Sequence, residues 1–207
     1  RLINLLKKLK LLDRFAPFPL VRSYLAPDDG DVFLNRDYSQ QELRILGHYE
    51  AGVLAQQYNE DPWLDVHDLA QKLINQMLNA NFSRKPIKNT GFGLIYGMGM
   101  EKLAASMGLD TDTATTIKAA YLAIFPGLKK LDETLKWRGR LNEPIRTWGG
   151  REYFVEPPRF NKARGRFQTF DYKLLNTLIQ GSAADNTKQA TINYHEHPKR
   201  RARFLLT

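Results

Sequence analysis

The sequence predicts an α+β fold that is mainly helical. Apolar residues recur with helical periodicity along most of the 207 residues, whereas strand signals are confined to short runs. The clearest strand signal is TWGGREYFV, which predicts a β-hairpin turning at Gly149-Gly150. Hydrophobic residues are 43% and charged residues 26% of the chain, so a folded protein with a real core is expected.

The chain is basic and contains no cysteine. Its 31 Lys and Arg residues exceed its 22 Asp and Glu residues, and the formal charge of +9 favours a polyanionic partner. The lack of cysteine excludes disulfides and thiolate metal sites. No apolar run approaches the ~18 residues of a membrane span and no signal-peptide pattern occurs, so a cytoplasmic setting is expected. Because the chain starts at Arg1 rather than Met and stops in an apolar run, we expect an internal piece of a longer protein.

The first part of the chain predicts a helical segment and then one strand. The run LINLLKKLKLL has helical periodicity, which Pro17 and Pro19 interrupt. Residues 31–37, DVFLNRD, predict a short strand that follows a turn at residues 27–30.

Two helices are predicted next. Ser39 offers an N-cap and Glu42 completes a capping box, so a first helix is expected to reach about Tyr58. The dipeptide Asp61-Pro62 is expected to open a second helix, which ends near Met77.

The remainder is predicted to be helical apart from the hairpin and one loop. Ser83 can cap a helix that holds Pro86 in its first turn, where proline is tolerated. Segment 157–168 is rich in Pro, Arg and Lys and predicts a loop. Further helical patterns cover residues 101–107, 111–125, 128–138 and 172–194.

Four residues of the Ser83 helix form a stripe of functional interest. Arg84, Lys88, Phe92 and Tyr96 are spaced four apart, so they line one face of the helix. Cations bind phosphate, and flat rings stack on bases or sugars, so this order suits the grip of one nucleotide. The alternative is an amphipathic helix with solvated cations and core aromatics, and the spacing alone does not choose between the two.

Asp37 is a candidate metal ligand. It ends the predicted strand and leads into a capped helix, a position where a carboxylate can hold a hard cation such as Mg²⁺. Taken alone, its position favours a cap or turn residue over a metal ligand.

Five blocks in the same order resemble those of the family A DNA polymerases, the bacterial DNA polymerase I type. DYSQQELR at 37–44 resembles motif A, and RKPIKNTGFGLIYG at 84–97 resembles motif B. NTLIQGSAADNTKQA at 176–190 resembles a third block, and DVH at 65–67 and TWGGRE at 147–152 resemble two shorter ones. The resemblance extends over most of the chain, from about residue 20 onward.

The resemblance implies a partial polymerase palm, built on an antiparallel sheet, with helical fingers. The palm would comprise residues 1–46, which hold motif A, and residues 169–207, a helix leading to motif C (His-Asp-Glu), expected beyond the last residue. The fingers would comprise residues 47–168, including the motif B helix at 83–97 and the hairpin at 145–156. Gly91 stands where motif B usually has Asn and costs about 1 kcal/mol of helix propensity, so a looser helix is expected.

The resemblance also implies a metal and phosphate site. Asp37 and the backbone carbonyl of Tyr38 would bind Mg²⁺, of which two ions are expected in the complete protein. Arg84, Lys88 and His67 would hold the triphosphate of a deoxynucleotide. The implied catalytic residues are Asp37, Lys88 and Arg84.

Further contacts to nucleotide and DNA follow from the same resemblance. Glu42 would be a steric gate that leaves no room for a 2′-hydroxyl, in addition to its capping role. Asn176 and Gln180, one helical turn apart, would probe the minor groove of the primer terminus. The implied nucleotide-binding residues are Gln40, Glu42, His67, Arg84, Lys88, Phe92 and Tyr96. The implied DNA-binding residues are Tyr96, Gly97, Arg151, Asn176 and Gln180.

The implied function is that of a template-directed DNA polymerase. Such an enzyme extends a primer–template DNA with deoxynucleoside triphosphates by two-metal phosphoryl transfer. This chain alone is expected not to polymerise, and its terse motif A leans towards a phage parent. Two alternatives are a degenerate remnant that only binds nucleic acid and a single-subunit RNA polymerase of phage type. Intact Arg84 and Lys88 argue against the first, and Glu42 argues against the second.

Overall fold

The computed structural model describes residues 26–162 and 165–202 and divides them after Tyr38 into two units. The first unit, residues 26–38, contains the predicted turn, in which the backbone N–H of Asp31 donates to the carbonyl of Asp28 at 2.9 Å. The predicted strand at 31–37 is wrong, because this stretch is exposed and has no regular secondary structure. A strand needs a neighbour for its backbone groups, and no described strand pairs with it. The helical segment predicted before Pro17 lies outside the described residues.

The second unit is mainly helical with two small antiparallel sheets, which confirms the predicted fold class. A 3₁₀ turn at Asp171–Lys173 leads into its last helix. Within the described residues, none of the helices is long and apolar enough to cross a bilayer. The helices are α1 (Gln41–Glu50), α2 (Val53–Glu60), α3 (Val66–Leu78), α4 (Arg84–Ile95), α5 (Met100–Met107), α6 (Thr111–Ile124), α7 (Pro126–Arg140) and α8 (Leu174–Glu196).

The single helix predicted from Ser39 to Tyr58 is wrong, because the first helix ends at Glu50 and a second begins at Val53. Ala51 adopts the left-handed conformation with φ of +51°, and a carboxylate oxygen of Glu50 accepts the backbone N–H of Gly52 at 2.9 Å. The capping box is also wrong. Gln40 occupies the N-cap position with φ of +53° and makes no side-chain cap bond.

Helix α3 corresponds to the helix expected to open at Asp61-Pro62. It begins later than predicted because Asp65 caps it. Its carboxylate accepts the backbone N–H groups of His67 at 2.9 Å and Asp68 at 3.3 Å. The predicted starting point, Asp61, instead forms a turn and accepts the backbone N–H of Trp63 at 2.9 Å. Ser83 does occupy the N-cap position of α4, but its side chain makes no cap bond.

Helix α4 is two-sided, and its apolar side anchors it in the core. Ile87 and Ile95 are 0% and 1% exposed, and α4 packs against α3, α5 and α6. The other residues of this core come from every remaining helix except α5, whose Leu103, Ala104 and Met107 belong to a second, smaller cluster. They include Leu43, Leu46, Leu54, Val66, Ala70, Ile74, Ile117, Tyr121, Phe125, Leu128, Leu135, Leu174, Leu175, Leu178 and Ile179.

Gly91 lets α4 approach α6 closely. A Cβ atom at Gly91 would lie 2.7 Å from the Tyr121 hydroxyl oxygen, and Tyr121 is only 2% exposed. The glycine expected to loosen this helix therefore has a packing reason, because a larger residue would press on a buried ring.

Two hairpins join α7 to the last helix. Strands β1 (Ile145–Arg146) and β2 (Glu152–Tyr153) pair antiparallel around Gly149-Gly150, which confirms the predicted hairpin. The loop predicted at 157–168 is wrong, because β3 (Arg159–Asn161) pairs with β4 (Arg166–Gln168). Phe160 and Phe167 face each other across these strands with ring centroids 5.4 Å apart, a cross-strand contact that favours pairing.

The Gly91 contact gives a stability prediction with its own rescue. Gly91→Ala should lower the free energy of unfolding by about 1–3 kcal/mol, although alanine favours a helix, because the new methyl group meets the Tyr121 hydroxyl. Urea unfolding measures this loss. The double variant Gly91→Ala/Tyr121→Phe removes the offending oxygen and should recover part of the loss. Equal stability of Gly91→Ala and the unmodified chain would contradict the packing argument.

Candidate nucleotide and nucleic-acid site

The stripe on α4 keeps three of its four residues in one continuous row. The Lys88 ammonium lies 5.6 Å from the centroid of the Phe92 ring. The rings of Phe92 and Tyr96 are stacked, with centroids 5.9 Å apart and an interplanar angle of 9°. Tyr96 is the C-cap residue and is 39% exposed. The prediction that these residues share one face is confirmed, and the row runs from a cation to an exposed ring.

The fourth residue of the stripe, Arg84, is held by two carboxylates of α3 and its cap. Its guanidinium forms ion pairs with Asp65 and Asp68. The hydrogen bond to Asp68 is the main reason that the pKa of Arg84 is raised. Burial alone would raise the pKa of Asp65, but hydrogen bonds from Arg84 and from backbone N–H groups lower it. Any anion that approached Arg84 would therefore have to compete with two carboxylates for it.

Lys88, by contrast, has its charge available. It is exposed, and among the described residues it forms no ion pair. Its attraction to the face of Phe92 leaves all three ammonium protons free to bind an anion. Lys88 is therefore the cation of the stripe best placed to meet a phosphate first.

His67 lies behind the stripe as a neutral ring. It is 4% exposed, and its ring centroid lies 5.4 Å from that of Phe92. Burial lowers its pKa; Asp65 opposes this shift, while the charges of Arg84 and Lys88 add to it. Its Nδ1 atom is buried and has no hydrogen-bond partner among the described residues. Near neutral pH, His67 can therefore offer a ligand one hydrogen bond but no positive charge.

A single amide links three helices at the aromatic end of the stripe. The Nε2 atom of Gln180, on α8, donates to a carboxylate oxygen of Glu42 and to the hydroxyl of Tyr96, both at 3.2 Å. Burial raises the pKa of Tyr96, and the negative charge of Glu42 adds to this effect. The family resemblance implies separate roles for Glu42, Tyr96 and Gln180, and the structure brings all three side chains together.

Gln40 is committed to internal contacts. Its Oε1 atom accepts the Tyr58 hydroxyl at 3.1 Å and the Val66 backbone N–H at 3.3 Å, and its Nε2 donates to the carbonyl of Leu64 at 3.1 Å. Burial raises the pKa of Tyr58 to about 12. The side chain of Gln40 thus joins the starts of α1 and α3 to α2, a role that its position in motif A does not reveal.

Arg151 is likewise bound internally, by Asp185 of α8. Asp185 pairs with the Arg151 guanidinium at 2.5 Å and accepts the Thr147 hydroxyl and the Gly149 backbone N–H, the latter at 3.0 Å. Burial opposes ionisation of Asp185, but these hydrogen bonds and the Arg151 charge lower its pKa. Arg151 also donates to the carbonyl of Gly181 at 2.7 Å.

Small residues of α8 let the β1–β2 hairpin lie against the helix. A Cβ atom at Gly181 would come within 2.7 Å of the Thr147 side chain. The Ser182 hydroxyl accepts the Trp148 backbone N–H and contacts the Tyr49 hydroxyl, both at 3.0 Å. Sequence reasoning missed the roles of Ser182 and Asp185, although their spacing with Gly181 within QGSAAD places all three on one side of a helix.

The two remaining predicted DNA contacts are Asn176, whose amide oxygen is buried, and Gly97, a glycine with positive φ. Asn176 lies one turn before Gln180, and its Oδ1 atom is buried without a hydrogen-bond partner among the described residues. Gly97 has φ of +61°, and a Cβ there would lie 2.5 Å from the Tyr172 carbonyl oxygen. Gly97 is therefore required by the approach of Tyr172 within the chain itself.

The two predicted metal ligands belong to the first unit. The Asp37 carboxylate is exposed and accepts the Tyr38 backbone N–H at 2.9 Å. A carboxylate and a backbone carbonyl are oxygen ligands of the kind that Mg²⁺ prefers, so Asp37 and Tyr38 fit the ion in kind. In the part of the chain that is described, no cluster of three or more His, Cys, Asp or Glu residues suited to a metal occurs.

Comparison with known proteins points to one family. The model of DNA polymerase family A matches residues 18–207. DNA polymerase I of Chloroflexus aurantiacus is 32% identical over 180 residues, which cover 84% of this chain and 19% of that protein. The DNA polymerase of Mycobacterium phage L5 is 29% identical over 177 residues, or 86% of this chain and 27% of that protein. The chain thus spans a minor part of each relative.

A solved structure shows the same relation in three dimensions. The polymerase domain of Pol1 from M. smegmatis, in complex with a DNA primer-template and dNTP, matches with a TM-score of 0.64 and 25% identity. The match covers 77% of this chain and 28% of that one.

The Asp185 network predicts a pH-dependent loss of stability. Asp185→Asn should lower the free energy of unfolding near neutral pH by about 1–3 kcal/mol, because it removes the partner of Arg151. The folded-state pKa of Asp185 lies below the unfolded value of about 3.9, so its contribution is complete above that pH. It disappears as the pH falls through the folded-state pKa.

Urea titrations across pH measure this effect, with Asp29→Asn, in the exposed turn, as the matched control. The difference between Asp185→Asn and the unmodified chain should shrink in acid, and Asp29→Asn should show no difference at any pH. A pH-independent loss for Asp185→Asn would count against the ionic contribution.

Proposed function

Because this chain belongs to DNA polymerase family A, we propose that it is part of a template-directed DNA polymerase. The parent enzyme extends the 3′-hydroxyl of a primer, on primer–template DNA, with deoxynucleoside triphosphates. The observation that carries this proposal is the row of Lys88, Phe92 and Tyr96, which ends against Glu42 and Gln180. A phosphate-binding cation, a stacking ring and a polar sugar-facing pair then follow one another along a single surface.

Within that enzyme, we assign the described helices to two parts. Residues 47–168 form the fingers, with α4 and the β1–β2 hairpin, and residues 1–46 and 169–207 contribute to the palm. The bond from Gln180 to Tyr96 and Glu42 then lies where the two parts meet. A shift of α4 relative to α8 would break or remake this bond, which is the kind of motion that couples nucleotide fit to catalysis.

Lys88 and Arg84 bind the triphosphate. Lys88 approaches first because its charge is free, and Arg84 joins when phosphate oxygens replace Asp65 and Asp68. Both cations stabilise the charge that grows on the leaving pyrophosphate as the bond to the α-phosphate breaks. His67, a neutral and buried ring, adds a hydrogen bond behind them.

The aromatic end of the row binds the sugar and tests the base pair. Phe92 packs on the sugar and base of the incoming nucleotide, and Tyr96 stacks where the templating base arrives. Glu42, held by Gln180, lies under the sugar and excludes a 2′-hydroxyl. Asn176 and Gln180 then face the minor groove of the primer terminus, where every base pair presents acceptors that amide N–H groups can donate to.

Asp37 and the carbonyl of Tyr38 would hold the catalytic ion, an assignment that rests on motif A and on family membership. A Mg²⁺ ion held there would supply the positive charge that activates a primer hydroxyl and neutralises a leaving group. Because the identified motifs supply only one such carboxylate, we propose that the 207 residues alone do not extend a primer. A primer-extension assay with Mg²⁺ tests this point, and robust extension by the chain alone would contradict it.

The central experiment uses the complete parent polymerase. Lys88→Ala should lower kcat/KM for nucleotide incorporation by at least about 100-fold, since it removes a preorganised charge from the transition state. Lys102→Ala is the matched control, because Lys102 is an exposed lysine of the neighbouring helix α5. Single-turnover primer extension measures both variants. A parent that keeps normal incorporation with Lys88→Ala, or that never extends a primer, sinks the proposal.

Competition for Arg84 gives a second prediction in the parent enzyme. Asp68→Asn removes one of two carboxylates that hold Arg84, while Asp65 keeps the side chain in place. We expect the KM for deoxynucleotides to fall about two- to fivefold, with kcat little changed, because an exposed ion pair is weak. Asp112→Asn, an exposed acid in the first turn of α6, is the control. A higher KM in Asp68→Asn would mean that Asp68 positions Arg84 rather than competing for it.

A further inference from the structure

The β3–β4 hairpin is an exposed aromatic surface that the proposed catalytic roles do not use. Phe160 and Phe167 form a T-shaped pair, yet they remain 54% and 68% exposed. Their partnership across the strands fixes both rings on the same face of the ribbon. Two large apolar side chains held rigidly in water mark a binding surface.

Cations flank these rings. Residues 157–170 contain three Phe, four Lys or Arg and no Asp or Glu. Arg159, Lys162 and Arg166 are exposed, and within the described part of the chain Arg159 is the one of the three that forms an ion pair, a 3.7 Å contact with Glu156. Arg159 and Arg166 each precede one of the two rings in their strands, so they project from the opposite face of the ribbon, one towards each end of the ring pair.

We propose that this hairpin binds single-stranded nucleic acid, with unpaired bases on Phe160 and Phe167 and with phosphates that reach Arg159, Lys162 and Arg166 around the open edges of the two-stranded ribbon. Exposed rings gain most from flat apolar partners, and the four cations within residues 157–170 favour a polyanion that carries such partners. In a duplex, each base face is already covered by its neighbours, so only unpaired bases offer free faces to the rings. The occupant is therefore a single strand rather than a double helix.

The identity of the natural ligand rests on the proposed function: in a template-directed polymerase, it is an unpaired stretch of the template strand. Among the described residues of the hairpin, the amides that could read base edges are those of Asn161 and Gln168, and they hydrogen-bond to each other at 3.2 Å. Binding is therefore expected to be independent of sequence and sensitive to salt.

The experiment measures binding of the 207-residue chain to a fluorescent oligothymidylate of about 12 nucleotides, within the range of small single-strand sites. Phe160→Leu/Phe167→Leu keeps apolar side chains in the strands but removes the rings. The dissociation constant should rise at least about fivefold, the lower bound for loss of one stacked base. Trp137→Leu, an aromatic residue of α7 that is 60% exposed, is the matched control and should bind like the unmodified chain.

A charge variant keeps the test decisive if the ring variant unfolds. Lys162→Gln/Arg166→Gln should lower the slope of log Kd against log salt by about 1.4, as expected for two lost phosphate contacts. Lys72→Gln/Lys102→Gln, at exposed lysines of α3 and α5, should leave the slope unchanged. A blunt duplex of equal length should bind the ring variant and the unmodified chain alike.

Three results would overturn the inference: no binding of the oligonucleotide at low salt, ring and control variants that bind equally, or a dimer that the ring variant abolishes in sedimentation. The last would mean that the rings cover a second copy of the chain. Primer extension by the parent is read separately. Ring-dependent binding with an inactive parent would refute the polymerase proposal and retain this one, whereas an active parent with ring-independent binding would do the reverse.

Discussion

The close packing of α4 on α6 is the constraint from which the site follows. The buried side of α4 is fixed by Ile87 and Ile95, and Gly91 lets the helix approach Tyr121 more closely than any other residue allows. With that side committed to the core, the opposite side must face outward. Because Lys88, Phe92 and Tyr96 are spaced four apart on that side, the helix itself places them in a row. The packing of the buried side of α4 therefore determines which residues its exposed side presents.

Electrostatics divide the row into a free and a held cation. Arg84 is bound by Asp65 and Asp68, whereas Lys88 leans on an aromatic face. Asp65 has a further duty, since one of its oxygens caps α3. Its carboxylate therefore links the start of one helix to the first residue of the next. Release of Arg84 leaves that cap bond to the His67 backbone available, so a change at the phosphate end need not unravel α3.

The sequence identified local features well and non-local ones poorly. The periodic helices from Met100 onward and the Gly149-Gly150 hairpin followed from spacing and turn chemistry alone. The capping box failed because the Glu42 side chain is used by Gln180, 138 residues further along the chain. The β3–β4 hairpin was hidden by its Pro- and Arg-rich composition, since its pairing depends on two rings that meet only after the chain turns.

Helix α8 carries predicted DNA contacts on one side and internal contacts on the other. Asn176 and Gln180 lie on one side, and Gly181 and Asp185 are turned away from them, with Asn176 and Gly181 about 140° apart around the axis. One side faces Glu42 and Tyr96, and the other holds the β1–β2 hairpin through Thr147 and Arg151. The block at 176–190 that resembles the family contains residues of both sides, because both sides position α8 between the site and the hairpin. Substitutions on the hairpin side should therefore act on the site only through the position of α8, and those on the Gln180 side should act on it directly.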